Sequence, residues 1–98
     1  MQLYVIRRPN GWGTPEELQA AAARSAQIGD EEMSADIRWI RSYVVQEADG
    51  GLGTVCIYQA SSPEKIREHA ERVGMPATEI VEIADTVIVR PDPAPVAA

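Results

Sequence analysis

Residues 56–76, CIYQASSPEKIREHAERVGMP, contain the end of a strand, a capped turn, a helix and a helix stop. Two residues can cap this helix: Ser61, which would form a capping box with Glu64, or Ser62, which directly precedes a proline. Gly74, followed two residues later by another proline, is a typical helix C-terminus. This segment therefore predicts a strand followed closely by a short helix.

The buried face of this second helix is predicted from helical spacing. Ile66, Ala70 and Val73 recur at intervals of three or four residues and form one apolar stripe. His69, the single histidine of the chain, lies next to that stripe. We therefore expect His69 at the edge of the core, where it is partly desolvated.

The remaining elements are predicted on either side of this segment. A first helix is predicted to begin after Thr14 and to end near residues 29–30. Thr14 is its N-cap, Pro15 occupies the first helical position, and Glu17 closes a capping box. Its face of small residues predicts close packing on the sheet. The other predicted elements are a strand at 2–7, a loop at 8–13, a strand at 36–46, a turn at 47–53 and strands at 54–60 and 81–90.

The resulting order, β-α-β-β-α-β, predicts an α+β fold of the ferredoxin-like type. In that fold a four-stranded antiparallel sheet carries two helices on one face. Residues 1–90 are expected to form this single domain, and the Pro- and Ala-rich residues 91–98 a disordered tail.

Strict alternation along the second strand places Trp39, Arg41 and Tyr43 on one face of the sheet, together with Tyr58 of the third strand. Both faces of this strand pair carry large apolar groups, yet two helices cover only one. The uncovered face therefore predicts a homodimer through the open sheet face, which gives a dimeric α+β barrel. Arg41 would need a carboxylate partner, and Asp85 is the candidate.

Composition excludes several classes of partner. The chain has 98 residues, of which 45% are hydrophobic and 24% charged, and its net charge is -6. Such an acidic chain with scattered basic residues is not expected to bind nucleic acid. It contains no apolar run of the roughly 20 residues that a membrane span requires. The single cysteine is consistent with the reducing cytoplasm.

Three runs of the sequence together resemble a known family. WIRSYV (39–44), CIYQASSPEKIREHA (56–70) and GMPATEI (74–80) are similar to a family of small bacterial proteins, mostly of unknown function, whose characterised branch is described as nickel-binding. The resemblance covers residues 3–84. It implies a dimeric ferredoxin-like α/β barrel and, as cofactor, nickel or another divalent transition metal.

Of the metal-ligand positions that the resemblance implies, one is occupied by a histidine in this sequence. Members of the metal-binding branch have histidines near the end of the first strand, on the first helix, and in a His-x-x-x-His-Gly run that closes the second helix. Here the first strand ends Ile6-Arg7-Arg8, and Val73 stands at the second position of the closing run. His69 matches the first position and is the one candidate metal ligand.

Three roles remain open for His69 from the sequence. It can be a hydrogen-bonded residue at the core edge, a general acid/base in a pocket between helix and sheet, or a metal ligand. Cys56 reads as a small buried residue, and Arg41 is the one predicted cationic neighbour that would favour a thiolate.

The aromatic residues support either an interface or a ligand pocket. Trp12, between two glycines, either covers a pocket mouth or anchors its loop. Candidate ligand-binding residues are Trp12, Trp39, Arg41, Tyr43 and Tyr58.

Three function classes follow. The first is a dimeric protein that binds a small molecule or a metal. The second is a cofactor-independent enzyme, similar to monooxygenases or to isomerases and cyclases, acting on a small apolar or aromatic molecule. The third is an interaction module. A hollow beneath His69 and the Trp12 loop would favour the second class, and ligand uptake that needs His69 would favour the first.

Overall fold

The computed structural model describes residues 1–94. Its elements are β1 (Gln2–Trp12), α1 (Pro15–Glu31), β2 (Ile37–Gln46), β3 (Leu52–Ala60), α2 (Pro63–Val73) and β4 (Glu79–Glu82). The strands form one antiparallel sheet in the order β2-β3-β1-β4. This arrangement confirms the predicted ferredoxin-like α+β fold. Neither helix has the length and apolar character needed to cross a membrane.

Both helices begin where the sequence places their caps. Thr14 caps α1 and accepts a hydrogen bond from the backbone N–H of Glu17 at 3.2 Å, while the Glu17 carboxylate accepts one from the N–H of Gly13 at 2.9 Å. Of the two candidates for α2, Ser62 is the N-cap. Gly74 ends α2 in the left-handed conformation (φ 86°), which glycine adopts without steric cost.

The core lies between the helices and one face of the sheet. From the sheet it receives alternate side chains of β1 and β3, and from the helices the stripe predicted on α2 together with the C-terminal part of α1. Its fully buried members include Ile6, Tyr58, Ala60, Ile66 and Val73.

The predicted loop at residues 8–13 is wrong because β1 continues to Trp12. The Pro-Asn-Gly run bends the strand without ending it: Arg8 pairs with Thr54, Trp12 pairs with Leu52, and the register shifts between the two pairs. Asn10 absorbs the bend with a positive φ of 52°. Arg8 therefore lies in the sheet, on the helix-covered face.

The predicted faces of β2 are wrong beyond Trp39 because a β-bulge interrupts the alternation. Trp39 pairs with Tyr58 and Arg41 with Ile57, so Ile40 is the extra residue. An extra residue reverses the facing of every later side chain. Trp39 and Tyr58 lie beneath the helices, whereas Arg41 and Tyr43 belong to the open face.

The predicted strand at 81–90 is also wrong, since β4 comprises only Glu79–Glu82. Residues 86–92 instead line a groove with open-face residues of the sheet. Asp92 lies 2.9 Å from the Arg41 guanidinium and accepts a hydrogen bond from the Tyr43 hydroxyl at 2.7 Å. Asp92, not Asp85, is thus the carboxylate beside Arg41. The predicted disordered tail falls partly on residues 95–98, which lie outside the described residues.

Candidate functional site

A cavity of about 570 Å³ lies between α1 and the helix-covered face of the sheet. Its ceiling on α1 consists of small side chains, Ala21, Ala22 and Ser25. The small residues on this face of α1 led us to expect close packing on the sheet. In the structure they instead leave a space between the helix and the sheet. The floor and rim come from β1, β2, β3 and the residue after the α2 stop, including Trp12, Trp39, Thr54, Cys56 and Met75.

Four of the five predicted ligand-binding residues line this cavity: Trp12, Trp39, Arg41 and Tyr58. The Trp39 and Tyr58 rings stack in parallel with their centroids 6.1 Å apart. The Trp39 indole donates a hydrogen bond to Ser42 at 2.8 Å. The exposed Arg41 borders both this cavity and the groove on the open face. Tyr43 is absent from the cavity because the bulge turns it to that other face.

Arg8 is the charged residue of this cavity that sequence reasoning missed. Its side chain is 1% exposed. Nε donates to the carbonyl of Pro76 and Nη1 to the Cys56 sulfur at 3.2 Å, but Nη2 has no hydrogen-bond partner in the described part of the chain. Within residues 1–94 no carboxylate oxygen lies within 4 Å of the guanidinium. Arg8 continues the alternation of Tyr4 and Ile6, and this pattern indicates that all three side chains lie on one face of the strand. It was missed because residues 8–13 were predicted to be a loop.

Cys56 accepts hydrogen bonds from two cavity residues, Arg8 and Ser42. The distance from Ser42 Oγ to the sulfur is 3.0 Å. The sequence predicted Arg41 as the cationic neighbour of Cys56. This prediction is wrong because the bulge at Ile40 turns Arg41 to the other face, and the cationic neighbour is Arg8. Cys56 is buried, as the sequence predicts.

His69 is fully buried rather than at the core edge, with 1% of its surface exposed. Helix α1 packs against it at Gly29, where a Cβ would lie in ordinary van der Waals contact with His69 Nε2 at 3.6 Å. Nε2 lies 3.0 Å from the Ser25 carbonyl, which can only accept, so this nitrogen carries the proton. Nδ1 has no partner. His69 does not line the cavity.

Burial sets the protonation of the two buried ring groups. Desolvation lowers the pKa of His69, outweighing the hydrogen bond to the Ser25 carbonyl, so the imidazole is neutral at neutral pH. Desolvation raises the pKa of Tyr58 to about 12, so its hydroxyl stays protonated. That hydroxyl lies 2.9 Å from Ser25 Oγ, and its ring centroid is 5.6 Å from that of His69. Ser25 thus connects His69 to the cavity wall.

The donor set does not fit a transition-metal site. Among residues 1–94 no three His, Cys, Asp or Glu side chains come together as metal ligands would. A divalent nickel or copper ion is held by several imidazole, thiolate or carboxylate donors. His69, the candidate ligand, uses Nε2 for the Ser25 carbonyl, and Nδ1 is enclosed in the core.

Comparison with known proteins gives one family and one solved structure. Residues 4–83 match the family model described as nickel responsive protein SCO4226-like. The crystal structure of SCO4226 from Streptomyces coelicolor A3(2) aligns with a TM-score of 0.68 and 19% sequence identity, over 87% of this chain and 99% of that chain. At this identity the structural match supports the fold alone. No curated protein matches the chain.

Proposed function

The chain belongs to the SCO4226-like family of nickel-responsive proteins, and from that premise we propose that it is a binding protein whose ligand is a small organic molecule in the helix–sheet cavity. One observation carries the proposal: an apolar cavity of about 570 Å³ is lined by Arg8 and Thr54, each of which holds a buried polar atom without a hydrogen-bond partner among residues 1–94. Small-molecule sites in proteins have this size and this composition, with volumes of roughly 300–1,000 Å³ and a few polar groups that orient the ligand.

The chemistry of the cavity favours an organic ligand over a metal ion. Trp39, stacked on the buried Tyr58, and the nearby Trp12 offer apolar surfaces, which an aromatic or aliphatic body would cover. The family name points to nickel, but among residues 1–94 no three His, Cys, Asp or Glu side chains come together, and the buried imidazole and the cysteine already take part in hydrogen bonds. We therefore assign the binding function of this member to the cavity.

The geometry favours binding without turnover over the enzymatic alternative. A general acid/base must reach the proton that it transfers, directly or through one water. His69 is separated from the cavity by Tyr58 and Ser25, both of which line it. The role that these contacts support for His69 is to hold the cavity wall.

Tryptophan fluorescence tests this function, because both tryptophans of the chain line the cavity. The full-length protein is titrated with phenylacetate, 4-phenylbutanoate and octanoate and with their neutral amides. Saturable binding of at least one compound is expected. Ala22→Leu, which fills the cavity from α1, should abolish it, whereas Ala23→Leu on the exposed face of the same helix should not. If none of the six compounds binds, or if Ala22→Leu binds normally, the proposal is wrong.

We also propose that the protein is a homodimer through its open sheet face. Support comes from the large apolar side chains exposed there, Tyr43 and Val81, and from the exposed run Val87 to Val89 that follows β4. A second copy would cover this surface with two-fold symmetry. Light scattering should give twice the 10.7 kDa mass of one chain. Val81→Glu should give the monomer mass and Val81→Thr the dimer mass, whereas a monomeric wild-type protein would refute the proposal.

A further inference from the structure

We propose that the cavity ligand carries a carboxylate group, which Arg8 Nη2 and the Thr54 hydroxyl bind, and an apolar body that lies against the tryptophans. This inference rests on the proposed cavity function and names its ligand class. Among the described residues 1–94, Arg8 and Thr54 are the two cavity-lining residues whose buried side chains hold an atom without a hydrogen-bond partner.

The buried charge of Arg8 favours an anionic ligand. A guanidinium is always ionised, and its burial without an anion is costly. Arg8 donates hydrogen bonds to the Pro76 carbonyl and the Cys56 sulfur, and no carboxylate oxygen among residues 1–94 lies within 4 Å of its guanidinium. In contrast, the adjacent Arg7, on the opposite face, pairs with Glu47 at 2.6 Å. The anion missing beside Arg8 is the group that a ligand would bring.

The positions of the two unpartnered groups match one small anion. Arg8 of β1 and Thr54 of β3 are directly paired across the sheet. Opposite residues in an antiparallel pair have Cβ atoms roughly 4.5–5.5 Å apart and project to the same side. The guanidinium nitrogen and the hydroxyl both donate hydrogen bonds, and a carboxylate has two oxygens that accept them.

The rest of the cavity limits the ligand to one anionic group. Trp12, Trp39 and Met75 line the same cavity as the polar pair and give it apolar surface. Arg41 is the other cationic residue at the cavity, and it is exposed beside Asp92. A phosphate, with its higher charge and additional acceptor oxygens, would leave acceptors unsatisfied here. The geometry therefore favours a monocarboxylate with an aromatic or aliphatic body.

Matched acid–amide pairs test the inference on the full-length protein. We expect each binding acid, for example 4-phenylbutanoate, to bind at least about tenfold more tightly than its amide, the effect of a hydrogen bond to a charged group. Arg8→Met should reduce the affinity for the acid to that for the amide. Thr54→Val should reduce it severalfold, and Arg38→Met, which removes an exposed arginine elsewhere on the sheet, should leave it unchanged.

The outcomes separate this inference from the function on which it rests. If acid and amide bind equally well to the wild type, or if Arg8→Met retains the preference for the acid, the carboxylate assignment is wrong and the cavity function stands. If no compound binds, the cavity function itself fails. Urea unfolding of each variant verifies its fold, and Thr54→Val provides an independent test if Arg8→Met does not fold, because normal acid preference in Thr54→Val would contradict the assignment.

Discussion

Replacing Arg8 by methionine should stabilise the ligand-free protein, although it removes two hydrogen bonds. Arg8 is almost completely buried, has no carboxylate partner among residues 1–94 and leaves Nη2 unbonded. An unpaired buried charge lowers stability, and an apolar side chain of similar length avoids that cost. A residue retained for ligand binding should show this conflict between stability and function.

The expected magnitude follows from the contacts of Arg8. The lost hydrogen bonds to the Pro76 carbonyl and the Cys56 sulfur are worth about 0.5–1.5 kcal/mol each. Burial of an ion costs several kcal/mol, which exceeds the contribution of these two hydrogen bonds. The net result should be a gain of about 1–2 kcal/mol in the free energy of unfolding. For a domain of this size, each kcal/mol raises Tm by about 4–8 °C.

Urea denaturation of the ligand-free protein measures this change, and Arg7 provides the control. Arg7 is adjacent in sequence but lies on the opposite face, where its guanidinium pairs with the largely buried Glu47. Arg7→Met should therefore lower the free energy of unfolding by about 1–2 kcal/mol, since it leaves that carboxylate unpaired. Opposite signs for the two substitutions support the reasoning. A loss of stability in Arg8→Met would refute it and identify Arg8 as a structural anchor.

Three further substitutions test the surroundings of the cavity. Gly53→Ala should destabilise by about 1–3 kcal/mol, because a Cβ there would lie 2.8 Å from the Arg8 carbonyl oxygen, and a wild-type urea midpoint would contradict this contact. Ser25→Ala should cost about 1 kcal/mol by removing the partner of the Tyr58 hydroxyl, as measured by thermal unfolding. Burial lowers the pKa of His69, so the unfolded chain alone takes up its proton as pH falls below about 6.5. Stability should therefore be complete above that pH and fall below it, and urea midpoints of His69→Gln should lose this dependence.

The elements that the sequence predicts correctly are those determined over a few residues. Thr14 and Ser62 cap their helices through hydrogen bonds to backbone groups three residues away, and Gly74 ends α2 by its own conformation. Periodicity on α2 predicts its buried stripe because every member faces the same sheet. These signals are contained within one element, so they can be read without knowledge of its neighbours.

The side-chain positions that the sequence misses depend on pairing between strands. The bulge at Ile40 arises from the pairing register between β2 and β3, and no residue of β2 indicates it in the sequence. It reverses Arg41 and Tyr43 while leaving Trp39 in place. At Arg8 the Pro-Asn-Gly run is a typical turn signal, but pairing with β3 on both sides carries the strand through the bend. Of the predicted aromatic residues, Trp12, Trp39 and Tyr58 therefore line the cavity and Tyr43 does not, whereas Arg8 was not among the predicted residues.

The two helices make different contributions to this sheet, and the difference explains the cavity. Helix α2 places Ile66, His69 and Val73 into the core, whereas α1 presents Ala21, Ala22 and Ser25 to the space above the tryptophans. A cavity of this kind lacks the packing that would hold its walls. Hydrogen bonds compensate at the back wall, where the Ser25 carbonyl accepts from His69 and its hydroxyl meets that of Tyr58. The neutral imidazole thus fixes α1 against α2 through Ser25, which keeps the wall of the cavity in place without the histidine entering it.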